Sequence, residues 1–207
     1  MAEICADQRL DADATEVWRR FLRAAYLQRA ETHDEPVYHK YQEAWANQFE
    51  RVFKLLRLPG DPNAASLHLK TCLAAAPAFD DALSAIRALE AHYPIAVLSN
   101  ADNDFLHDCL DRNGLKFDIV VSSEDAGSIK PHPDIFRFLA RKMKVPIGRI
   151  LYVGDNPIPD VLGPGRAGMK VAWVNRTGMR KPRKVPYPDI RVKSLSELVR
   201  ILIPTGD

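Results

Sequence analysis

Long apolar runs are absent from this sequence. Nothing approaches the roughly 20 consecutive apolar residues that cross a bilayer, and the opening "MAEICADQRLDADA" holds no apolar core of signal-peptide length. Both absences predict a soluble chain without membrane attachment. An excess of one charge is absent too. The 29 Lys+Arg against 27 Asp+Glu leave a formal +2, so no global field draws nucleic acid or an acidic partner. Cysteine is scarce. Cys5, Cys72 and Cys109 are odd in number and far apart, without a CxxC motif, and no Cys/His ligand spacing is read around them. That argues against a disulfide framework and against a thiolate metal site. A reducing cytoplasm is the compartment that fits.

What is present is ordinary globular material. The 207 residues suffice for one large domain, or for a core with a smaller insert. The first third reads as helical. In "ATEVWRRFLRAAYLQRA", Val17, Trp18, Phe21, Leu22 and Ala25 fall at i, i+3, i+4 spacing, and Tyr38, Tyr41, Trp45, Phe49, Val52, Phe53 and Leu56 repeat the pattern. "LPGDPN" breaks it, and a shorter helix follows over about 64–75. After Phe79 the rhythm alternates. Helical segments separate "IAVLSN", "FDIVVSS", "RILYVGD", "KVAWVNR" and "DIRV", and "SLSELVRILI" closes the chain with Ser194 and Glu197 at capping-box spacing. Strands apolar on both faces between helices predict an α/β fold with a parallel sheet covered on both sides. The predicted organisation is an N-terminal segment 1–13, a helical section 14–77 and an α/β core 78–207.

Ligands of open parallel sheets sit beyond the carboxyl ends of the strands. Three strand ends carry matched polar groups. "IAVLSN" ends in Ser99 and Asn100, "RILYVGD" ends in Asp155 with Asp160 five residues on, and "FDIVVSS" leads to Lys130 in "EDAGSIKPHPDIF". Two neighbouring carboxylates repel and call for a cation. Oxygen donors without Cys or His suit a hard ion, Mg²⁺ above others. A hydroxyl and an ammonium both hold phosphoryl oxygens, so the set suits charge stabilisation in phosphoryl transfer. Taken singly, each residue has a plainer reading: Ser99 and Asn100 as a turn, Lys130 as a surface lysine, Asp155 as a helix start. The aromatics of the first third read as packing. The basic run 176–184 reads as a solvated loop, or more sharply as a rim that attracts anions.

In order and spacing these segments resemble the haloacid dehalogenase-like (HAD) superfamily. "VLSNADNDFL" is similar to its second motif, "EDAGSIKPHPDIF" to its third and "YVGDNPIPDVLGPGRAGM" to its fourth, over residues 78–202, with 31 residues from Ser99 to Lys130 and 25 from there to Asp155. The resemblance implies a Rossmann-like core with a helical C1-type cap and attack by an aspartate on the substrate. It also implies that Ser99 binds a phosphoryl oxygen and Lys130 neutralises charge. Asp155 would hold Mg²⁺, and Asp160 would support the ion or orient Lys130. Pro164 stands where the family has a helix and predicts a delayed or kinked one.

One departure is large. The family's first motif, an apolar strand followed by DxDGT or DxxGT, supplies the nucleophile and the acid/base. Here "DADAT" matches the letters DxDxT without a preceding strand. Asp11 and Asp7 are therefore the weak nucleophile candidates and Asp13 the weak acid/base candidate, each with helix capping as its plainer role. The missing strand would stand between those ending at Ser99 and Asp155. Either those two pair directly, or "AEICA" or a partner's strand fills the place, which makes a homodimer easier to understand. The expected function is Mg²⁺-dependent hydrolysis of a small phosphate ester. The alternatives are a 2-haloacid dehalogenase, which needs no metal and usually lacks the Gly-Asp ligand, and an inactive or truncated chain that binds or regulates.

Overall fold

The computed structural model describes the backbone of residues 1–31 and 38–203, with the side chains of 1–25 and 38–203. Two compact units result: Met1–Ala76 with Ala101–Arg112, and Pro77–Asn100 with Asn113–Asp207. In chain order the elements are α1 (Ala2–Asp7), α2 (Ala14–Glu31), α3 (Tyr41–Leu56), α4 (Pro62–Ala74), α5 (Ala82–Glu90), β1 (Ala96–Ser99), α6 (Asn103–Arg112) and β2 (Ile119–Ser122). They continue with α7 (Ser123–Ala126), α8 (Pro133–Met143), β3 (Leu151–Gly154), a wide π-helical turn (Pro157–Leu162), α9 (Gly163–Ala167), β4 (Lys170–Val174), β5 (Ile190–Val192) and α10 (Leu195–Leu202).

The first unit is all helix. Asp61 accepts the Asn63 and Ala64 amides at 2.8 and 3.2 Å, and Pro62 takes the first turn of α4, where its missing N–H costs nothing. Val17, Phe21, Phe49, Phe53 and Leu69 bury in one cluster, while Trp18 and Leu22 of the predicted stripe stay exposed. Segment 101–112 joins this unit instead of the predicted core. The buried Asp102 carboxylate accepts the Tyr41 and Gln42 amides at 2.8 and 3.2 Å and the Tyr38 hydroxyl at 3.0 Å, which caps α3. Phe105 packs edge-on to Trp45, and Lys70 pairs with Asp104.

The second unit is α/β, and all its strand pairs are parallel. β1 pairs with β2, with Ser99 opposite Ser122, and β4 lies between β3 and β5, with Gly154 opposite Trp173. These are two separate sheets, β1–β2 and β3–β4–β5. Two of the three sequence expectations for the missing strand are not met. β1 does not pair with β3, and "AEICA" is helical: Ile4 and Cys5, adjacent on α1, both bury in the first unit's core, which alternation along a strand does not permit. Half-burial along all of β1 and the exposure of Val153 on β3 follow from the absent neighbour. Side chains join the two sheets instead. Ile135 and Phe136 of α8 bury with Val121 of β2 and Tyr152 of β3. Pro164 lies in the first turn of α9, directly after the π-helical turn.

Candidate active site

Strand ends of the second unit bring together most of the residues the sequence singled out. Ser99 closes β1, and Asn100 follows it. The Asn100 carboxamide accepts the Lys130 amide at 2.8 Å and donates to the Lys130 carbonyl at 3.1 Å. This two-bond clamp fixes the loop that carries Lys130. Asn100 is thus a positioning residue within the fold, and its amide is committed to that task.

The Lys130 ammonium lies 2.7 Å from Asp160 Oδ1 and 2.9 Å from the Tyr152 hydroxyl. Both charged side chains are nearly buried, at 12% and 7% exposure. Burial works against the ammonium charge, but the Tyr152 and Asp160 oxygens outweigh it and hold Lys130 well above its ordinary range. An ammonium has three donors, so one remains beyond these two partners. Burial first, and then Asp160, push the Tyr152 phenol up to about 12, against the pull of Lys130. Asp160 Oδ2 takes the Asn156 amide at 3.0 Å. A Cβ at Gly154 would stand 2.5 Å from Asp160 Cβ, so only glycine admits the carboxylate here.

Asp155 differs from Asp160. Its main-chain carbonyl accepts the Trp173 indole N–H at 2.8 Å, which pins the backbone. Its side chain is exposed and has no hydrogen-bond or ion-pair partner among the described residues. The Ser99 hydroxyl is half-buried and likewise uncommitted among them. Tyr152 was missed in the sequence, where it reads as one more apolar strand residue; two of its partners, Lys130 and Leu98, come from other segments of the chain.

Three candidates come from the first unit. Asp7 pairs with His68 Nδ1 at 2.8 Å, Asp13 accepts the Thr15 amide at 2.9 Å as a cap of α2, and Asp11 is exposed in the segment between α1 and α2. All three lie in the helical unit. Among the described residues no strand precedes β1, so none of the three follows a strand as nucleophile or acid/base. For Asp160, expected to support the ion or orient Lys130, the structure shows contacts of the second kind: Oδ1 faces the Lys130 ammonium, and Oδ2 takes the Asn156 amide.

A family model for haloacid dehalogenase-like hydrolases matches residues 5–168. The chain belongs to this family. This HAD-family hydrolase is 29% identical over 168 residues, 80% of its length and 74% of the other, to haloacetate dehalogenase H-2 of Moraxella sp. strain B. It is 32% identical over 124 residues to pyrimidine 5'-nucleotidase YjjG of Escherichia coli K12, which covers 58% of this chain and 55% of that protein. In fold it resembles the magnesium-bound HAD-hydrolase YfnB of Bacillus subtilis, with a TM-score of 0.83, 20% identity, and coverage of 98% and 89%. No helix among the described residues of the HAD chain is long and apolar enough to cross a membrane.

The donor set of this HAD site is oxygen only, which suits Mg²⁺. It offers one uncommitted carboxylate, Asp155, and among the described residues no group of three ligand side chains forms around it. Mg²⁺ keeps waters and takes substrate phosphate oxygens alongside one or two carboxylates. The residues therefore fit an ion that arrives with a phosphate and do not fit one held by protein alone.

Proposed function

We propose that this hydrolase acts on small phosphate monoesters with Mg²⁺. The observation that carries the reading is that the strand ends of one unit hold both Lys130, kept charged under burial with one donor uncommitted, and an exposed, uncommitted carboxylate, Asp155, just past β3. Lys130 holds a phosphoryl oxygen, and the Ser99 hydroxyl donates to another. Asp160 and Tyr152 hold Lys130, and Asn100 holds its loop. Asp155 is the residue that would take the ion, which when bound supplies positive charge against the transferring group. Water is the attacking group, because no second uncommitted carboxylate among the described residues accompanies these strand ends. Its oxygen bonds to phosphorus, the ester P–O bond breaks, and the alcohol leaves with a proton.

Similarity to haloacetate dehalogenase H-2 favours a second reading, hydrolysis of a carbon–halogen bond. One experiment separates the two. Phosphate release from an aryl phosphate and halide release from chloroacetate are followed with Mg²⁺ and with chelator. The expected result is metal-dependent phosphate release, lowered about 10²–10³-fold in Lys130→Met, lost in Asp155→Ala, and unchanged in Asp11→Asn. Halide release that survives chelator establishes the dehalogenase. Phosphate binding without turnover of either compound, from folded protein, leaves a binding-only chain.

A further inference from the structure

Four metal-ligating side chains meet where α1 packs on α4, within the helical unit. His68 and Cys72 are four residues apart on α4, and Glu3 and Asp7 are four apart on α1, so each pair shares one helix face. Ile4 and Cys5 on α1 bury in the same cluster as Ala65 and Leu69 on α4. The Gln8 carboxamide pairs twice with the Asp61 main chain, at 3.1 and 2.7 Å, which holds the two helices in register.

Glu3 Oε2 lies 3.4 Å from His68 Nε2 and 3.5 Å from Cys72 Sγ. The three ligand atoms fall within 4.8 Å of one another. Tetrahedral bonds of about 2.0–2.1 Å to nitrogen and oxygen, and about 2.3 Å to sulfur, place neighbouring ligand atoms about 3.4–3.5 Å apart. The two separations from Glu3 have that edge length. The same imidazole shows what an ordinary hydrogen bond looks like here: Nδ1 lies 2.8 Å from Asp7 Oδ2. The contact at Nε2 is long for such a bond and suits two atoms that share an ion. A carboxylate on one imidazole nitrogen fixes the tautomer and leaves the other nitrogen's lone pair for a metal.

We propose that Glu3, His68 and Cys72 bind a divalent transition metal ion, with Zn²⁺ as the best fit, and that Asp7 orients His68. Mixed sulfur, nitrogen and oxygen donors select a borderline-soft ion over Mg²⁺ or Ca²⁺. Three protein ligands leave a fourth position for water. Glu3 and Cys72 are exposed, so the ion enters from solvent. The proposed site runs against the sequence expectation of no thiolate metal binding, and it shares no residue with the strand-end site. Once bound, the ion would cross-link α1 to α4.

Cobalt(II) titration of the reduced, full chain tests this, with excess Mg²⁺ present to fill hard oxygen sites. The expected result is one tight Co²⁺ with a thiolate-to-cobalt charge-transfer band, displaced by Zn²⁺. Cys72→Ser removes the band and Cys109→Ser keeps it. Asp7→Asn keeps the band and weakens binding about 10–100-fold. Circular dichroism confirms that each variant is folded. Absence of the band in folded wild type at saturating cobalt overturns the site, as does a band that persists in Cys72→Ser.

Discussion

Lys130 keeps its charge where a lone ammonium would lose it, and the cause is its company. Asp160 supplies a charge at 2.7 Å, and Tyr152 an oxygen at 2.9 Å. Both Lys130 and Tyr152 hold their protons more tightly in the folded state, with the phenol pushed up to about 12. In the unfolded chain tyrosine titrates near about 10 and lysine near about 10.4. Above those values the unfolded state releases protons that the folded state keeps. The stability these groups contribute is therefore complete below about pH 10 and is lost as pH rises further. Urea unfolding of wild type across pH 8–12 should show that decline, and Tyr152→Phe should make it shallower. An equal slope in both proteins would remove Tyr152 from the cluster. Of this cluster, Lys130 and Asp160 were legible in the sequence, because each stands at a fixed offset from a strand end. Tyr152 was not, since a tyrosine in an apolar run reads the same whether its hydroxyl meets water or a lysine.

Helices and loops of the second unit are tied together by single carboxylates, and Asp81 shows how. It accepts Arg176 Nη2 at 2.7 Å and the Leu195 amide at 2.7 Å, so one side chain joins the start of α5, the basic loop and the start of α10. Arg176 also lies over the Phe79 ring at 4.1 Å. At least its first residue thus gives the basic run a structural duty that neither sequence reading foresaw. Arg176, and then the Leu195 and Ser196 amides, hold the Asp81 carboxyl below its usual range against the effect of burial. A depressed folded value means stability that is present above the unfolded carboxylate range and lost as pH falls through it. Asp81→Asn should cost about 1–3 kcal/mol at neutral pH, measured by urea unfolding, and the gap from wild type should narrow in acid. Element ends set by local chemistry were legible: Ser194 accepts the Glu197 amide at 3.1 Å as its spacing predicted. The four-residue α7, with its Ser122–Asp125 capping box, was not read, because it is too short to show a period. Half of the α1–α4 cluster stands in "HLKTC", which sets His68 and Cys72 four apart, but the sequence reading passed over it. Its other half comes from α1, which the sequence offered as a strand.

At the scale of the whole molecule, the informative feature is a sheet that the chain does not close. The alternation of strands and helices announced a parallel sheet, and the order of motifs placed a missing strand between β1 and β3. What stands at that place could not be read, because it depends on where "AEICA" buries Ile4, and that is decided by helices α2 to α4. In the structure the Tyr152 hydroxyl comes within 3.4 Å of the Leu98 carbonyl, a side-chain contact where a ladder would run. The two sheets therefore differ in how their backbones are satisfied. β4 pairs on both sides at Ala172 and Trp173, while β1 and β3 pair on one side only among the described residues. In a parallel ladder, successive amides point to opposite neighbours. Amide hydrogen exchange read residue by residue should show continuous protection along those β4 positions. Along β1 and β3 it should show alternation, with every second amide exchanging through small local openings. Continuous protection along β1 and β3 would mean that a strand does pair there in solution. The water-attack reading of the site would then lose its structural ground, because an acid on that strand would stand beside Lys130.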